Sequence, residues 1–363
     1  MTGIHYDGTL AALPATGLRT PAYYHAVEVI TEDIRNLKAA LGTSLIMQLS
    51  DCPLPDVLSR LPEDARFGVV TGARPEMNMV IAWATDHAYV AAPALDVALA
   101  RAGLGANHRF FIEYPDQITL LAGLRGRRVV QPVILTVQGA RPDRGMNPAE
   151  LAEAVALAQA AGIPIGGFAQ ADAVLPDGGT RVRALAAVAD ALCPDGALLL
   201  IPGPYEGPTQ GAGVNAYRAA IAALPPRFCV VHVAGIAIFA RSGVMATQVL
   251  HVAQGAEAAV ARCDIGMAQA FLLTEAAGPL RVASRAALLG GAPREARPCV
   301  LVGSGGAVGE VFARLPFLPE TGDVIVFDQC GAMVRTFSPV QHGGSGEVPV
   351  FLLGESVAAG AAT

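Results

Sequence analysis

Lysine is almost absent from this sequence. Of the 25 basic residues in 363, Lys38 is the one lysine and the other 24 are arginine. A high-GC genome would favour arginine over lysine, but the scarcity leaves chemistry that needs a side-chain amine with a single candidate. Charged residues make up only 15% of the chain and aromatics 6%, against 53% hydrophobic. That balance excludes a disordered chain and describes one with a large core to bury. Extended basic runs are missing too. The longest is "RGRR" at 125–128, a solvated turn, and the net charge is −6, which argues against a nucleic-acid surface. No stretch reaches the roughly 18 uninterrupted apolar residues of a membrane helix. The most apolar run, 228–254, contains His232, Gly235, Arg241 and Gly243 and reads as buried strands. The opening "MTGIHYDGTLAALP" has neither the basic start nor the apolar core of a signal peptide, so a cytoplasmic protein is expected. The cysteines at 52, 193, 229, 263, 299 and 330 are too far apart for a Cys-x-x-Cys site. They read as small core residues rather than metal ligands or disulfide partners.

What is present is a regular alternation. From "SLIMQL" (44–49) to "RFCVVHV" (227–233), short apolar runs alternate with helical patterns. The helix at 25–42 places Val29, Ile30, Ile34, Leu37 and Leu41 on one face and stops at Gly42. Another begins at Pro148. About eight strand–helix units predict a (β/α)8 TIM-like barrel, and unbroken apolar strands suit a parallel sheet buried on both faces. After residue 235 the helical patterns thin out and strands with glycine turns take over. The expected organisation is a barrel over 22–235, a β domain from 1–21 plus 236–355, and a frayed tail at 356–363.

Four stretches carry a resemblance to a known family. They are "RTPAYYHAVEVITEDIRNLKAALG" (19–42), "GIAIFARSGVMATQVLHV" (235–252), "CDIGMAQAF" (263–271) and "LPFLPETGDVIVFDQCGAMV" (315–334), with "EVPVFLL" following the last. In order and spacing the chain resembles the fold-type-III pyridoxal-phosphate enzymes, the alanine racemase and diaminopimelate/ornithine decarboxylase superfamily, and its decarboxylase branch in particular. The resemblance implies a barrel followed by a β domain, a dimer, and an amino-acid-like ligand. It also implies a set of site residues, and here the sequence departs from the pattern.

The family's Schiff-base lysine, in a run like "YAVKAN", is matched by Gln48, which cannot form an imine. Lys38 lies on the preceding helix, facing away from the barrel. The phosphate-binding glycine loop is matched by "LIPGPYEG" around Gly203, where two prolines remove N–H donors. An "EPGR" turn is matched by "HVAGIA": Gly235 is kept, but Val233 stands at the glutamate and Ile236 at the arginine. The ring-stacking histidine is replaced in the neighbourhood of Phe168 or Gln170. In the β domain Gly303 falls in the loop that resembles a Cys-x-x-x-Asp segment, and Met333 stands at a late tyrosine. The expectation is therefore a degenerate member without bound pyridoxal phosphate. It would be a pseudoenzyme subunit or a small-molecule-binding protein, in a homodimer or in a heterodimer with an active paralogue.

An alternative keeps an enzyme, with cofactor-independent or metal-assisted chemistry in the same barrel mouth. Its candidate catalytic residues are Glu113, Asp51, Cys52 and His232. Glu113 ends an apolar strand and reads as a pocket acid or a solvated carboxylate. His232 sits within an apolar strand and reads more simply as a satisfied core histidine, and Cys52 as a buried thiol. Further pocket candidates are Arg74, Gln138, Asp172 and Tyr205 from the barrel loops, and Asp328, Gln329 and Cys330 from the β domain. His232, Glu113 and Asp172 offer a candidate metal trio, but no ligand motif supports one. The glycine run at 303–309 is not a dinucleotide fingerprint, because Val308 occupies its third glycine position.

Overall fold

The computed structural model describes residues 9, 13, 17–52, 54–65, 68–83, 88–139, 143–171, 179–193, 195–202, 212–255, 258–290, 294–305, 309–337 and 348–353, with the backbone alone at 79–83 and 212–214. Two compact units emerge, one of Glu32–Ile238 and one of Met1–Thr31 plus Phe239–Thr363.

In chain order, strand β1 (Ala22–Ala26) and helix α1 (Val27–Leu41) precede β2 (Ser44–Gln48), α2 (Pro55–Ser59), β3 (Val69–Thr71), α3 (Arg74–Trp83), β4 (Ala88–Val90) and α4 (Val97–Gly105). Then come β5 (Arg109–Ile112), α5 (Pro115–Leu124), β6 (Val133–Val137), α6 (Pro148–Ala161), β7 (Ile165–Gln170), α7 (Thr180–Leu192), β8 (Ala197–Pro202), α8 (Ala212–Ala222) and β9 (Phe228–Ala234). Strands β2 to β9 form a closed barrel of parallel strands, sealed where Ser44 pairs with Val231 and Met47 with Ala234. The eight-fold alternation expected from the sequence is observed.

The helices start and stop for local reasons. Asn147 caps α6 through Ala149 and Glu150 N–H groups, the Glu150 carboxylate returns to the Asn147 N–H, and Gly162 ends the helix in the left-handed region at φ 62°. Asp96 caps α4 by accepting from Leu99 N–H at 2.7 Å. The strand faces divide by alternation. Ile46, Val70, Tyr89, Phe111, Ile134, Ala169, Leu200, Val231 and Val233 pack together inside the barrel. Their neighbours, such as Leu45, Leu135 and Phe168, are equally buried on the helix-facing side. Burial on both faces is why these strands read as unbroken apolar runs.

The second unit is mainly β. After a single helical turn, α9 (Ile236–Phe239), come β10 (Gly243–Ala253), β11 (Ala259–Cys263), β12 (Ala286–Leu288), β13 (Cys299–Val302), β14 (Val311–Leu315), β15 (Val324–Phe327) and β16 (Val350–Leu353). The long β10 pairs with β1, β11 and β15, with a bulge between Val249 and His251. Tyr23, Met245, Phe312 and Phe327 anchor the core of this unit.

Two expectations are corrected here. The sequence places the start of the barrel at residue 22, but β1 pairs antiparallel with β10 and parallel with β16, so it belongs to the β unit. A short apolar strand does not say which sheet it joins when its partners lie more than two hundred residues away. The run at 236–242 reads as strand but forms α9 and a 3-10 turn at Ala240–Ser242. Four apolar residues carry no period, and Ile238 and Phe239 are fully buried in the helical conformation.

Candidate active site at the barrel mouth

In a parallel barrel the C-terminal strand ends and the loops after them carry the reactive groups. Alternation sends Gln48, Glu113, Thr136 and Val233 toward the interior at this end, in register with the inward residues Ile46, Phe111, Ile134 and Val231 below them.

Glu113 follows β5 with its side chain only 3% exposed. Arg144, from the loop after β6, meets it in a bidentate pair at 2.6 and 3.4 Å. That loop is held to its strand by Gln138 N–H donating to Met146 O and by Met146 N–H donating to Thr136 O. Gly145 has φ 75°, and a Cβ there would press on the Gln138 backbone and the Ala171 side chain, so the turn that presents Arg144 depends on glycine. Glu113 is thus a buried, paired acid, not a solvated one. The Thr136 hydroxyl is buried and has no hydrogen-bond partner among the described residues.

A second acid lies across the mouth. Asp51 ends the 3-10 turn after β2 and accepts the Ile236 N–H at the start of α9. Burial pushes its carboxyl up to about 6, the Ile236 N–H pulls the other way, and the charge of Glu76 raises it further. Glu76, in the first turn of α3, accepts the Gly72 N–H at 2.6 Å, and burial raises it as well. Gly235 is pressed so closely against Asp51 and Gln48 that a Cβ at that position would fall within the Asp51 carboxylate. The Gln48 amide donates to Ser50 Oγ at 2.9 Å. Two carboxyls in one desolvated place, one of them poised near 6, form an arrangement that can hold or release a proton near neutral pH.

Several candidates lie elsewhere. His232 is on the helix-facing side of β9, where Nδ1 meets Thr43 Oγ1 and Nε2 meets Tyr217 OH, both at 2.6 Å. Burial pushes it down to about 4. It is the satisfied core histidine, not a mouth residue, and the imagined metal trio loses its imidazole. No group of three or more metal-ligating side chains converges among the described residues. Phe168 and Gln170 are buried on the helix-facing side of β7; Ala169 is the inward residue, so the neighbourhood assigned to the first two is corrected. Arg74 opens α3 exposed to solvent, and Cys52 is buried. Asp172, Gly203 and Tyr205 lie outside the described residues.

In the β unit, Asp328 pairs with Arg285 at 2.8 Å and also accepts the Arg285 N–H. The Cys330 thiol donates to Phe327 O and Asp328 O, and burial raises its pKa strongly. Gln329 and Met333 take left-handed backbone at φ 59° and 62°. Gly303 is packed on the Glu310 side chain, whose Oε1 accepts the Met267 N–H. These contacts give Asp328, Cys330 and Gly303 structural roles within that unit.

Sequence reasoning missed Glu76, Arg144 and Thr136. Glu76 stands four residues after Gly72 at a helix start, which is a legible capping signal. Arg144 comes from a loop, and nothing local announces its partner.

No family profile and no curated protein matches the sequence. Solved structures do. A lysine decarboxylase from Selenomonas ruminantium superposes with a TM-score of 0.79 at 18% identity, covering 94% of this chain and 94% of that one. The arginine decarboxylase of Paramecium bursaria Chlorella virus gives 0.79 at 15%, covering 91% and 95%. A lysine/ornithine decarboxylase from Vibrio vulnificus, solved with putrescine, gives 0.78 at 19%, covering 93% and 95%. The chain therefore has the fold of these decarboxylases over nearly its whole length.

Proposed function

We propose that this chain is a decarboxylase-fold protein that has given up pyridoxal-phosphate catalysis and keeps the barrel mouth as a small-molecule pocket. The observation that carries this reading is Gln48 at the mouth end of β2, in a sequence whose one lysine lies on α1. An amide nitrogen is not nucleophilic, and no variation of its surroundings makes it form an imine.

The surroundings do not fit the cofactor either. The backbone N–H of Ile236, at the position that resembles a phosphate turn, is already taken by the Asp51 carboxylate. Asp51 and Glu76 would face a phosphate dianion with like charge. Val233, an apolar residue packed inside the barrel, offers no carboxylate to a pyridine nitrogen. In this reading the chain acts as a non-catalytic subunit or a binding protein for an amino-acid-like ligand, as a homodimer or beside an active paralogue.

Difference absorbance on addition of pyridoxal phosphate tests the proposal. No visible imine band is expected, and a band that borohydride abolishes would overturn it. A second reading, an enzyme without the cofactor, is favoured by one observation, the Asp51 carboxyl raised to about 6 beside Glu76. It predicts turnover of an amino-acid-like substrate whose rate follows an ionisation near that value and which Asp51→Asn abolishes.

A further inference from the structure

The other end of the barrel is built differently. Inward positions at the N-terminal strand ends are usually filled by bulky branched side chains that close the barrel. Here β2 begins with Ser44, β9 has Cys229 as its second residue, and β7 has Gly166 at a bulge near its start, where a Cβ would meet Pro132. These small residues leave a cavity of about 640 Å³ with Ile46, Tyr89 and Val231 in its lining. Ser44 and Cys229 are exposed to solvent although they share the inward faces of their strands with the buried Ile46 and Val231, so the cavity opens outward. Its volume lies in the ordinary range for small-molecule sites.

Among the described residues one charged side chain lines it. Arg109, the first residue of β5, donates to Tyr89 OH at 3.3 Å and holds its guanidinium 5.7 Å from the Tyr89 ring centroid. Among the described residues no carboxylate pairs with Arg109. A guanidinium is a planar fork that takes a carboxylate in two parallel hydrogen bonds, and stacking on an aromatic ring pre-orients it for that. The remaining lining is apolar: Leu198 and Pro132 beside Ile46 and Val231.

We infer that this cavity is a second binding site, one that takes a small monocarboxylate with an apolar body. The carboxylate meets Arg109 and the apolar part packs on Ile46 and Val231. The site is independent of the mouth and does not rest on the reading of the mouth given above.

Cys229 at the opening supplies the readout. The probe is phenylacetate, with neutral phenylacetamide as control, and alkylation of Cys229 by N-ethylmaleimide is followed by peptide mass spectrometry. Phenylacetate is expected to slow Cys229 saturably, about fivefold at four times its Kd, since only the unoccupied fraction reacts. Cys193, half-buried elsewhere, should be unaffected. Phenylacetamide should not protect, and Arg109→Gln should lose the protection. Absence of protection, equal protection by the amide, or protection that survives Arg109→Gln would each overturn the assignment. Cys229→Phe, which fills the opening, gives an independent check. Phenylacetate should raise the melting temperature of the parent protein and not of this variant, and an equal rise in both would contradict the site.

Discussion

The two ends of the barrel handle charge in opposite ways. At the C-terminal mouth three described acids are engaged by the chain itself: Glu113 by Arg144, Asp51 by the Ile236 N–H, and Glu76 by the Gly72 N–H. At the N-terminal end, small residues leave open space and Arg109 faces it with only Tyr89 as a neighbour of note. The barrel shares its fold with the solved decarboxylases. At the mouth the acids described meet partners within the chain, whereas at the opposite end Arg109 has no carboxylate partner among the described residues. Conserving a barrel thus fixes where side chains point without fixing which of them are left for a ligand.

The largest expected effect comes from breaking the mouth's ion pair. Arg144→Ala leaves the buried Glu113 carboxylate uncompensated. Because Arg144 itself is 40% exposed, the loss should be about 2–3 kcal/mol, below the full cost of splitting a wholly buried pair. Chemical denaturation at neutral pH measures it. A loss under about 0.5 kcal/mol, the range of surface substitutions, would mean that the pair does not hold the loop.

Next in size is a contrast between two titrating groups. Asp51 is raised to about 6 in the folded protein, so the fold binds its proton more tightly than the unfolded chain does, and stability falls as pH rises through that value. His232 is lowered to about 4, so its contribution has the opposite sign: stability is lost as pH falls below the ordinary histidine range toward 4. Buried His25, also lowered to about 4, adds to the histidine side. Asp51→Asn should raise stability at pH 8 by on the order of 2 kcal/mol and leave a profile that rises with pH between about 4 and 6. His232→Phe strands the Thr43 and Tyr217 hydroxyls. It should cost on the order of 2 kcal/mol at neutral pH and shift the acid side of the profile the other way. Melting temperatures across pH for both variants check the signs; parallel shifts would break the assignment.

The smallest expected effect is on cofactor affinity. Gln48→Lys restores an amine but none of the phosphate contacts, so the variant should gain no saturable pyridoxal-phosphate binding by equilibrium dialysis. A yellow, borohydride-sensitive variant would show that the mouth retains more of the cofactor site than the Asp51–Ile236 contact implies.

The barrel was legible because a parallel strand buried on both faces is an unbroken apolar run, and eight such runs alternate with helical patterns. The same property hid the site. When both faces are apolar, the sequence does not say which parity points inward, so Phe168 and Gln170 were expected near a ligand when Ala169 holds the inward position. His232 was legible as a core residue, but its partners Thr43 and Tyr217 were not, since each is brought to it by strand register and helix packing. Glu113 could be read as a strand-end acid. Its pairing with Arg144 could not, because that contact depends on a glycine turn after the next strand. That Gln48 forms no imine follows from its residue type alone and needs no contact from the fold.

The most direct test of the central claim is the intact mass of the folded protein after incubation with micromolar pyridoxal phosphate and reduction by borohydride. An unmodified chain is expected, because the one lysine lies on α1 and not at the mouth. A stoichiometric phosphopyridoxyl adduct mapped to Lys38, the one side-chain amine of the sequence, would contradict it.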